Sequence, residues 1–185
     1  DERVRRLING LKDHGVGPGD TIAMIMGNRR ECFEIFQACA HLGVTYVPVN
    51  WHWVPDELAY VLEDADVKVL LVGNRFTDVA VEALSDSRSQ NVHLSLVVGG
   101  KHETLTDYEE FLLSSSTDDL PDDQQLLGGP MFYTSGTTGR PKGVRGSLSG
   151  GGTIPTEVMQ LIGGSMASYV PANGKSLLVG PVYHS

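Results

Sequence analysis

The chain has 185 residues, of which 41% are hydrophobic and 20% are charged, and its formal net charge is −9 at pH 7. This composition is typical of a globular protein rather than a disordered one, and the acidic balance disfavours a general nucleic-acid binder. No apolar run is long enough to span a membrane, and the charged, helix-patterned residues 1–10 differ from a secretory signal peptide.

The hydrophobic pattern predicts helices and strands that alternate along residues 2–113. Helices are predicted at residues 2–13, 30–42, 55–65, 77–85 and 105–113. Strands are predicted at residues 21–26, 44–49, 67–72 and 94–98. Pro48 indicates an edge strand or a bulge in the second of these strands. The alternation predicts an α/β fold, a parallel-rich sheet with flanking helices, in which ligands bind outside the carboxyl ends of the strands.

The two cysteines, Cys32 and Cys39, lie seven residues apart in one predicted helix. At about 1.5 Å rise per residue their Cα atoms are roughly 10 Å apart, too far for a disulfide between them. We predict that both are small core residues, which is consistent with a reducing, cytoplasmic location.

Two further clusters of residue types common in active sites have structural interpretations. The aromatic residues 51–53 (Trp-His-Trp) are predicted to pack in the core or between domains. Glu63, Asp64 and Asp66 cluster at the end of a predicted helix and are interpreted as a solvated face.

Composition changes sharply near residue 127. Residues 1–127 contain 10 Lys/Arg against 22 Asp/Glu, whereas residues 128–185 contain four Lys/Arg, one Glu and 13 of the 22 glycines. An acidic, proline-containing connector over residues 114–127 separates the two parts, and its aspartates lack the spacing and glycine of a calcium loop, so no metal site is predicted. We predict a first α/β subdomain over residues 1–127 and the start of a second over residues 128–185.

The candidate functional segment, residues 135–143, directly follows a strand predicted at residues 131–134. Its glycines let backbone N–H groups approach a ligand, hydroxyl groups add donors, and two cations attract an anion. These groups are Gly136, Gly139 and Gly143; Thr134, Ser135, Thr137 and Thr138; and Arg140 and Lys142. The pattern predicts a cradle for a polyphosphate.

Two nucleotide-binding motifs are excluded by spacing. A Walker A loop requires a Ser or Thr after its lysine, whereas Gly143 follows Lys142 here. The Gly15-x-Gly17 pair does not open a helix from a strand, as a dinucleotide fingerprint requires. A plain glycine-rich hairpin on the surface remains open as the alternative.

Residues 133–144, YTSGTTGRPKGV, resemble the phosphate-loop signature of the adenylate-forming (AMP-binding) superfamily, in its acyl-CoA synthetase branch. Residues 42–50, LGVTYVPVN, followed by Glu57-Leu58, are similar to an early stretch of that family, and residues 180–185, GPVYHS, resemble the strand-and-turn motif after the phosphate loop. Residues 145–152, RGSLSGGG, depart from the family's Thr-x-His-like segment, so the entry to a helix predicted at 154–167 differs.

The resemblance implies the large amino-terminal domain of a ligase that uses ATP with Mg²⁺ to convert a carboxylic acid into an acyl-AMP, and then transfers the acyl group to coenzyme A. It implies a set of residues that hold the β- and γ-phosphates: Thr134, Ser135, Gly136, Thr137, Thr138, Gly139 and Lys142. Two alternatives stay open, an acyl-AMP ligase that loads the thiol of a carrier protein and a non-catalytic nucleotide-binding module.

The resemblance also assigns catalytic roles to Lys142 and His184, the latter in the acyl pocket near the reacting carboxylate. Amino-acid-activating domains resemble this region but carry an aspartate there, which pairs with the substrate ammonium. A histidine therefore favours a fatty or aryl acid, with a fatty acid preferred. The expected location is the cytoplasm, and association with a membrane through a lipid substrate stays open.

Length sets a further expectation from the resemblance. The chain corresponds to an amino-terminal fragment of a family member, because it ends at the motif of residues 180–185 and lacks the later motifs and the small carboxy-terminal domain. We expect such a fragment to be inactive alone.

Overall fold

The computed structural model describes residues 2–134, 140–146, 158, 161, 163–165 and 180–184. Five helices longer than one turn lie wholly within these residues: α1 (Glu2–Asp13), α2 (Arg30–Leu42), α3 (Pro55–Asp64), α4 (Thr77–Leu84) and α5 (Tyr108–Ser114). The strands are β1 (Thr21–Ile25), β2 (Thr45–Pro48), β3 (Val67–Gly73), β4 (Leu94–Val98), β5 (Thr106–Asp107), β6 (Gly129–Thr134) and β7 (Lys142–Arg145). The helix predicted at residues 154–167 lies mostly outside the described residues.

Within the described residues the strands form one sheet in the order β5-β4-β3-β1-β2-β6-β7. Neighbouring strands pair in parallel, except for the antiparallel pair of β6 and β7. The predicted fold class, a parallel-rich sheet with flanking helices, is confirmed.

Helices cover both faces of the sheet, because successive side chains of a strand point to opposite faces. In β1, Ile22 and Met24 join a core cluster that contains the apolar faces of α1, α2 and α5. Ala23 and Ile25 join a second cluster that contains the apolar faces of α3 and α4. All five residues of β1 are buried, which explains why its sequence is a continuous apolar run rather than an alternating one.

Both cysteines are buried in the first of these clusters, as predicted, and neither is in a disulfide. Burial raises the pKa of each thiol. Their role is therefore packing between α2 and the sheet.

Two of the predicted elements need correction. Pro48 does not mark an edge strand, because β2 lies between β1 and β6. Val49 N–H donates to the carbonyl of Met24 on β1, so position 48 faces the β6 side, where the pairing of β6 has already ended at Tyr46. A proline is tolerated there because no partner needs its missing N–H.

The second correction concerns the helix predicted at residues 105–113. Thr106 and Asp107 instead form β5, which pairs with the end of β4. Asp107 is the N-cap of α5, and its carboxylate accepts a hydrogen bond from Glu110 N–H at 2.9 Å. The helix therefore begins at Tyr108 because the aspartate favours a capping position over a helical one.

Two glycines let the chain return from the connector to the sheet. Gly43 ends α2 with a left-handed φ of 71°. At Gly128 a Cβ atom would collide with the backbone carbonyls of Cys39 and Val44, so only glycine fits where residue 128 crosses the end of α2. This close approach places β6 beside β2, and one sheet thus contains strands from both sides of residue 127; the division into two subdomains stays a prediction.

The connector is mainly exposed, as predicted, but it is tied to α1. The side-chain amide of Asn9 donates to the carbonyls of Ser116 and Asp118, at 3.0 and 2.9 Å. Leu120 is buried in the first core cluster.

A charged network joins α1, α2 and α5. The guanidinium of Arg3 binds the carboxylates of Glu34 and Glu109, with two hydrogen bonds of 2.7 to 3.1 Å to each. Glu34 is buried and also accepts a hydrogen bond from the hydroxyl of Tyr108 at 2.9 Å. Because a buried carboxylate without a partner is costly, this network fixes how the three helices sit on the sheet.

We expect Arg3→Met to lower the free energy of unfolding by about 1–3 kcal/mol, because it leaves the buried Glu34 without its bidentate partner. The matched control is Arg5→Met on the same helix, whose arginine pairs at 3.3 Å with the exposed Asp119 and should cost less than about 1 kcal/mol. Urea unfolding measures both variants, and equal losses would contradict the structural role of the network.

The loss of free energy of unfolding caused by Arg3→Met should be smaller in acid. Hydrogen bonds from Arg3 lower the pKa of Glu109. Such a carboxylate stabilises the fold above its unfolded-state pKa of about 4.3, and this contribution is lost as the pH falls through the lowered folded-state pKa. We expect the wild-type and variant chains to differ less in free energy of unfolding at about pH 3 than at about pH 7. A difference that grows in acid would show that another group dominates.

Candidate functional site

Four parallel strands end at one side of the sheet, which we call the carboxyl end of the sheet. Asn28 follows β1, Trp51 follows β2, Asn74 follows β3 and Thr134 ends β6. Because β1, β2, β3 and β6 are parallel, these four positions lie on the same side. Open α/β sheets bind their ligands at this end.

The strands β6 and β7 form a hairpin in which β6 ends and β7 begins at the carboxyl end of the sheet. Thr134 pairs opposite Lys142, and Tyr133 pairs opposite Gly143. Directly opposed side chains in an antiparallel pair have Cβ atoms about 4.5–5.5 Å apart, and both Thr134 and Lys142 are exposed. The structure therefore brings together two of the predicted phosphate-binding residues.

The other five predicted phosphate-binding residues lie outside the described residues. They are Ser135, Gly136, Thr137, Thr138 and Gly139. Their predicted role stays a prediction.

The antiparallel pairing of β6 and β7 is the hairpin topology that the sequence left open as an alternative to a phosphate cradle. Its charge is unlike that of an ordinary surface hairpin. The described part of the hairpin contains Arg140, Lys142 and Arg145 and no acidic residue, and no carboxylate of the described residues forms an ion pair with Lys142. An exposed lysine with no internal counter-ion can bind an external anion.

Helix α3 and Trp53, which precedes it, support this hairpin. The hydroxyl of Tyr60 donates to the carbonyl of Pro141 at 3.1 Å, and the guanidinium of Arg140 lies 5.2 Å from the centre of the Tyr60 ring. The hydroxyl of Tyr133 donates to the carboxylate of Asp64 at 2.5 Å. The ring of Trp53 meets that of Tyr133 edge to face, with 6.2 Å between centroids.

Burial, and then the carboxylate of Asp64, raise the pKa of Tyr133, so its hydroxyl stays protonated and remains a donor. The interpretation of Glu63, Asp64 and Asp66 as a solvated face is correct in that all three are exposed. It misses the partners of two of them, because Asp64 binds Tyr133 and Asp66 binds Lys68 and Asn91.

Residues 180–184 form a turn that contacts the segments after β1 and β2. The carboxamide of Asn28 donates to the carbonyl of Gly180 at 2.8 Å, and its oxygen accepts a hydrogen bond from Val182 N–H at 3.0 Å. The ring of Tyr183 meets Trp51 edge to face, with 4.7 Å between centroids. His184 is exposed at the end of this turn, and its backbone N–H donates to the carbonyl of Pro181.

Thr134, Lys142 and His184 thus belong to two structures at the carboxyl end of the sheet, the hairpin and the turn. Trp51 and Trp53 pack as predicted, since both are half-buried against the second core cluster, whereas His52 between them is exposed. Each tryptophan also contacts one of the two structures.

Sequence reasoning missed Asn28 and Tyr60 as site residues. Asn28 follows a buried strand, and a polar residue at that position is a signal that the carboxyl-end rule could have used. Tyr60 gives no local signal, because its hydroxyl meets a carbonyl 81 positions away in the chain.

Within the described residues no helix is both long and apolar enough to cross a membrane. These residues also contain no group of three or more His, Cys, Asp or Glu side chains arranged to hold a metal ion.

Known proteins match this chain over most of its length. Feruloyl-CoA synthase of an Amycolatopsis species is 33% identical over 99% of the chain, a match that covers 33% of that protein. The long-chain-fatty-acid–CoA ligase of Thermus thermophilus is 34% identical over 77% of the chain and 26% of its own length. The crystal structure of the anthranilate CoA ligase AuaEII in complex with anthranoyl-AMP superposes with a TM-score of 0.69 at 25% identity, over 77% of this chain and 28% of that chain.

The chain thus spans about a quarter to a third of the length of these curated relatives. The model of the AMP-binding enzyme family matches residues 1–184, which confirms the family predicted from the phosphate-loop signature. The chain belongs to the AMP-binding enzyme family.

Proposed function

We propose that this chain forms the ATP-phosphate-binding part of an acid–thiol ligase. The carboxylate of the substrate attacks the α-phosphorus of ATP, pyrophosphate leaves, and the thiol of coenzyme A then displaces AMP from the acyl-adenylate. The observation that carries the proposal is the hairpin that presents Thr134 beside Lys142 at the carboxyl end of a parallel sheet. The names of the related CoA ligases support the same chemistry.

In this proposal the hairpin binds the β- and γ-phosphates of ATP. The binding residues are Thr134, Ser135, Gly136, Thr137, Thr138, Gly139 and Lys142. The ammonium group of Lys142 neutralises charge on the departing pyrophosphate, and the hydroxyl and N–H groups position it. Mg²⁺ would enter with ATP, because this ion is usually bound through substrate phosphates.

The turn of residues 180–184 contributes His184 to the acid site. Its imidazole donates a hydrogen bond to the substrate carboxylate and provides no anion for an α-ammonium group. We propose a carboxylic acid without an ammonium group as substrate, with fatty acids as the preferred class and aryl acids as the second. Coenzyme A is the proposed acceptor. We propose a cytoplasmic location, which the two buried cysteines support because neither forms a disulfide.

We expect Lys142→Ala to reduce adenylation about 10- to 150-fold, because a charge-assisted contact of this kind contributes roughly 1.5–3 kcal/mol. Pyrophosphate exchange measures this in the enzyme that contains this chain. Lys101→Ala is the matched control, since that exposed lysine pairs with Glu110 far from the hairpin. An unchanged rate in Lys142→Ala would remove this lysine from the phosphate site.

We expect fatty or aryl acids to drive pyrophosphate exchange faster than α-amino acids, because His184 cannot pair with an ammonium group. A panel of the three acid classes, assayed with wild type, measures this preference. Faster exchange with an amino acid would contradict the proposed role of His184. ATP binding without exchange for any acid would instead indicate a non-catalytic nucleotide-binding module, and acyl transfer to a carrier thiol but not to coenzyme A would indicate a carrier-loading ligase.

A further inference from the structure

The side chain of Asn28 uses both ends of its carboxamide on one short stretch of backbone. Its nitrogen donates to the carbonyl of Gly180 at 2.8 Å and its oxygen accepts from Val182 N–H at 3.0 Å. These partners are 152 and 154 positions away in the chain. The carboxamide thus acts as a neighbouring strand would, and it fixes both the position and the direction of the turn.

The backbone on either side of Asn28 is itself held in place. Ile25 ends the buried strand β1 on one side, and Arg29 precedes α2 on the other. The guanidinium of Arg29 binds the carboxylate of Glu31 with hydrogen bonds of 2.7 and 3.2 Å and donates to the carbonyl of Val98 at the end of β4. Asn28 is therefore an exposed side chain on an anchored backbone, suited to hold a second segment.

A second support for the turn comes from β2. Trp51 meets Tyr183 edge to face and also lies 6.5 Å from Phe76, nearly parallel to it. Its indole N–H donates to the imidazole of His52 at 3.1 Å. The turn thus rests on the ends of two neighbouring strands.

We propose that Asn28 is a positioning residue for the acid site, which acts by fixing the turn that presents His184. This inference rests on the proposed role of His184. The hairpin has its own support from Tyr60, Asp64 and Trp53. Asn28 therefore governs the binding and reaction of the acid, and the binding of ATP does not depend on it.

The first experiment separates the two substrates kinetically in the enzyme that contains this chain. Asn28→Ala is expected to lower kcat/KM for the acid about tenfold, because small misplacements of a catalytic group cost one to two orders of magnitude, and to leave KM for ATP within about twofold. Asn28→Asp keeps the acceptor for Val182 N–H but turns a carboxylate oxygen toward the carbonyl oxygen of Gly180, which is repulsive, so it should lose at least as much as Asn28→Ala. Asn9→Ala is the matched control, because the amide of Asn9 also ties a distant segment through two hydrogen bonds, but on α1.

The second experiment measures how well the turn of residues 180–184 is held in place. Hydrogen exchange followed by mass spectrometry should show faster exchange of the peptide that contains Val182 in Asn28→Ala and in Asn28→Asp, and no increase in Asn9→Ala. A merely structural role of Asn28 predicts a loss of stability across the fold instead, with KM for ATP and for the acid affected alike.

Comparison with His184→Ala distinguishes the failure of this inference from that of the proposed function. If the double variant Asn28→Ala/His184→Ala is no slower than His184→Ala alone, Asn28 acts through His184 and the inference is supported. If His184→Ala slows adenylation but Asn28→Ala changes neither the acid kinetics nor the exchange of Val182, the inference is overturned and the role of His184 stands. If His184→Ala has no effect on adenylation, the role of His184 fails and the positioning role fails with it.

Discussion

The parallel pairing of β6 with β2 is the contact on which the candidate site depends. It consists of two residue pairs, Thr45 with Gly129 and Tyr46 with Pro130. It requires Gly128, because any larger residue would collide with the backbone at the end of α2. Because β6 runs parallel to β2, its last residue, Thr134, lies at the carboxyl end of the sheet. Thr134 and the opposing Lys142 are therefore where ligands of such sheets bind. An antiparallel β6 would have placed the same residues on the opposite side.

In the proposed function two substrates meet at this site, and the structure supports its two parts, the hairpin and the turn, by different contacts. The hairpin is held by α3 through tyrosine hydroxyls and by the ring of Trp53, which precedes that helix. The turn of residues 180–184 is held by Asn28 and Trp51, from the ends of β1 and β2. Since neither set of contacts includes a residue of the other, a change in one need not propagate to the other. In the proposed function, this separation would let the acid pocket change while the nucleotide site stays constant.

Much of the fold could be predicted from the sequence, because the elements of the first 113 residues follow from local patterns. Continuous apolar runs gave the buried strands, and the spacing of apolar residues gave the helices. Local patterns failed where pairing decided the outcome. Thr106 and Asp107 are predicted to be helical but form a strand that pairs with β4. Pro48 is tolerated in an interior strand because the pairing of β2 with β6 ends at Tyr46.

The site could be predicted only in part, for a similar reason. The phosphate segment is visible because its glycines, hydroxyls and cations are contiguous in sequence. Its supports are not visible, since Asp64 with Tyr133 and Asn28 with Gly180 are pairs separated by 69 and 152 positions. Such contacts depend on the sheet order, which no short window of sequence contains.

The distribution of charge completes the physical picture. In the acidic first 127 residues, three arginines form structural ion pairs: Arg3, Arg29 and Arg88 each bind nearby carboxylates. These carboxylates raise the pKa of the three guanidinium groups. These pairs consume cations that could otherwise attract an anion to the body of the fold. Within the described residues Lys142 has no such partner, although the chain as a whole is acidic. A polyphosphate, the proposed ligand, would therefore be repelled by most of the surface and attracted at the hairpin, and the structural ion pairs of the first 127 residues would contribute to the selectivity of the proposed site.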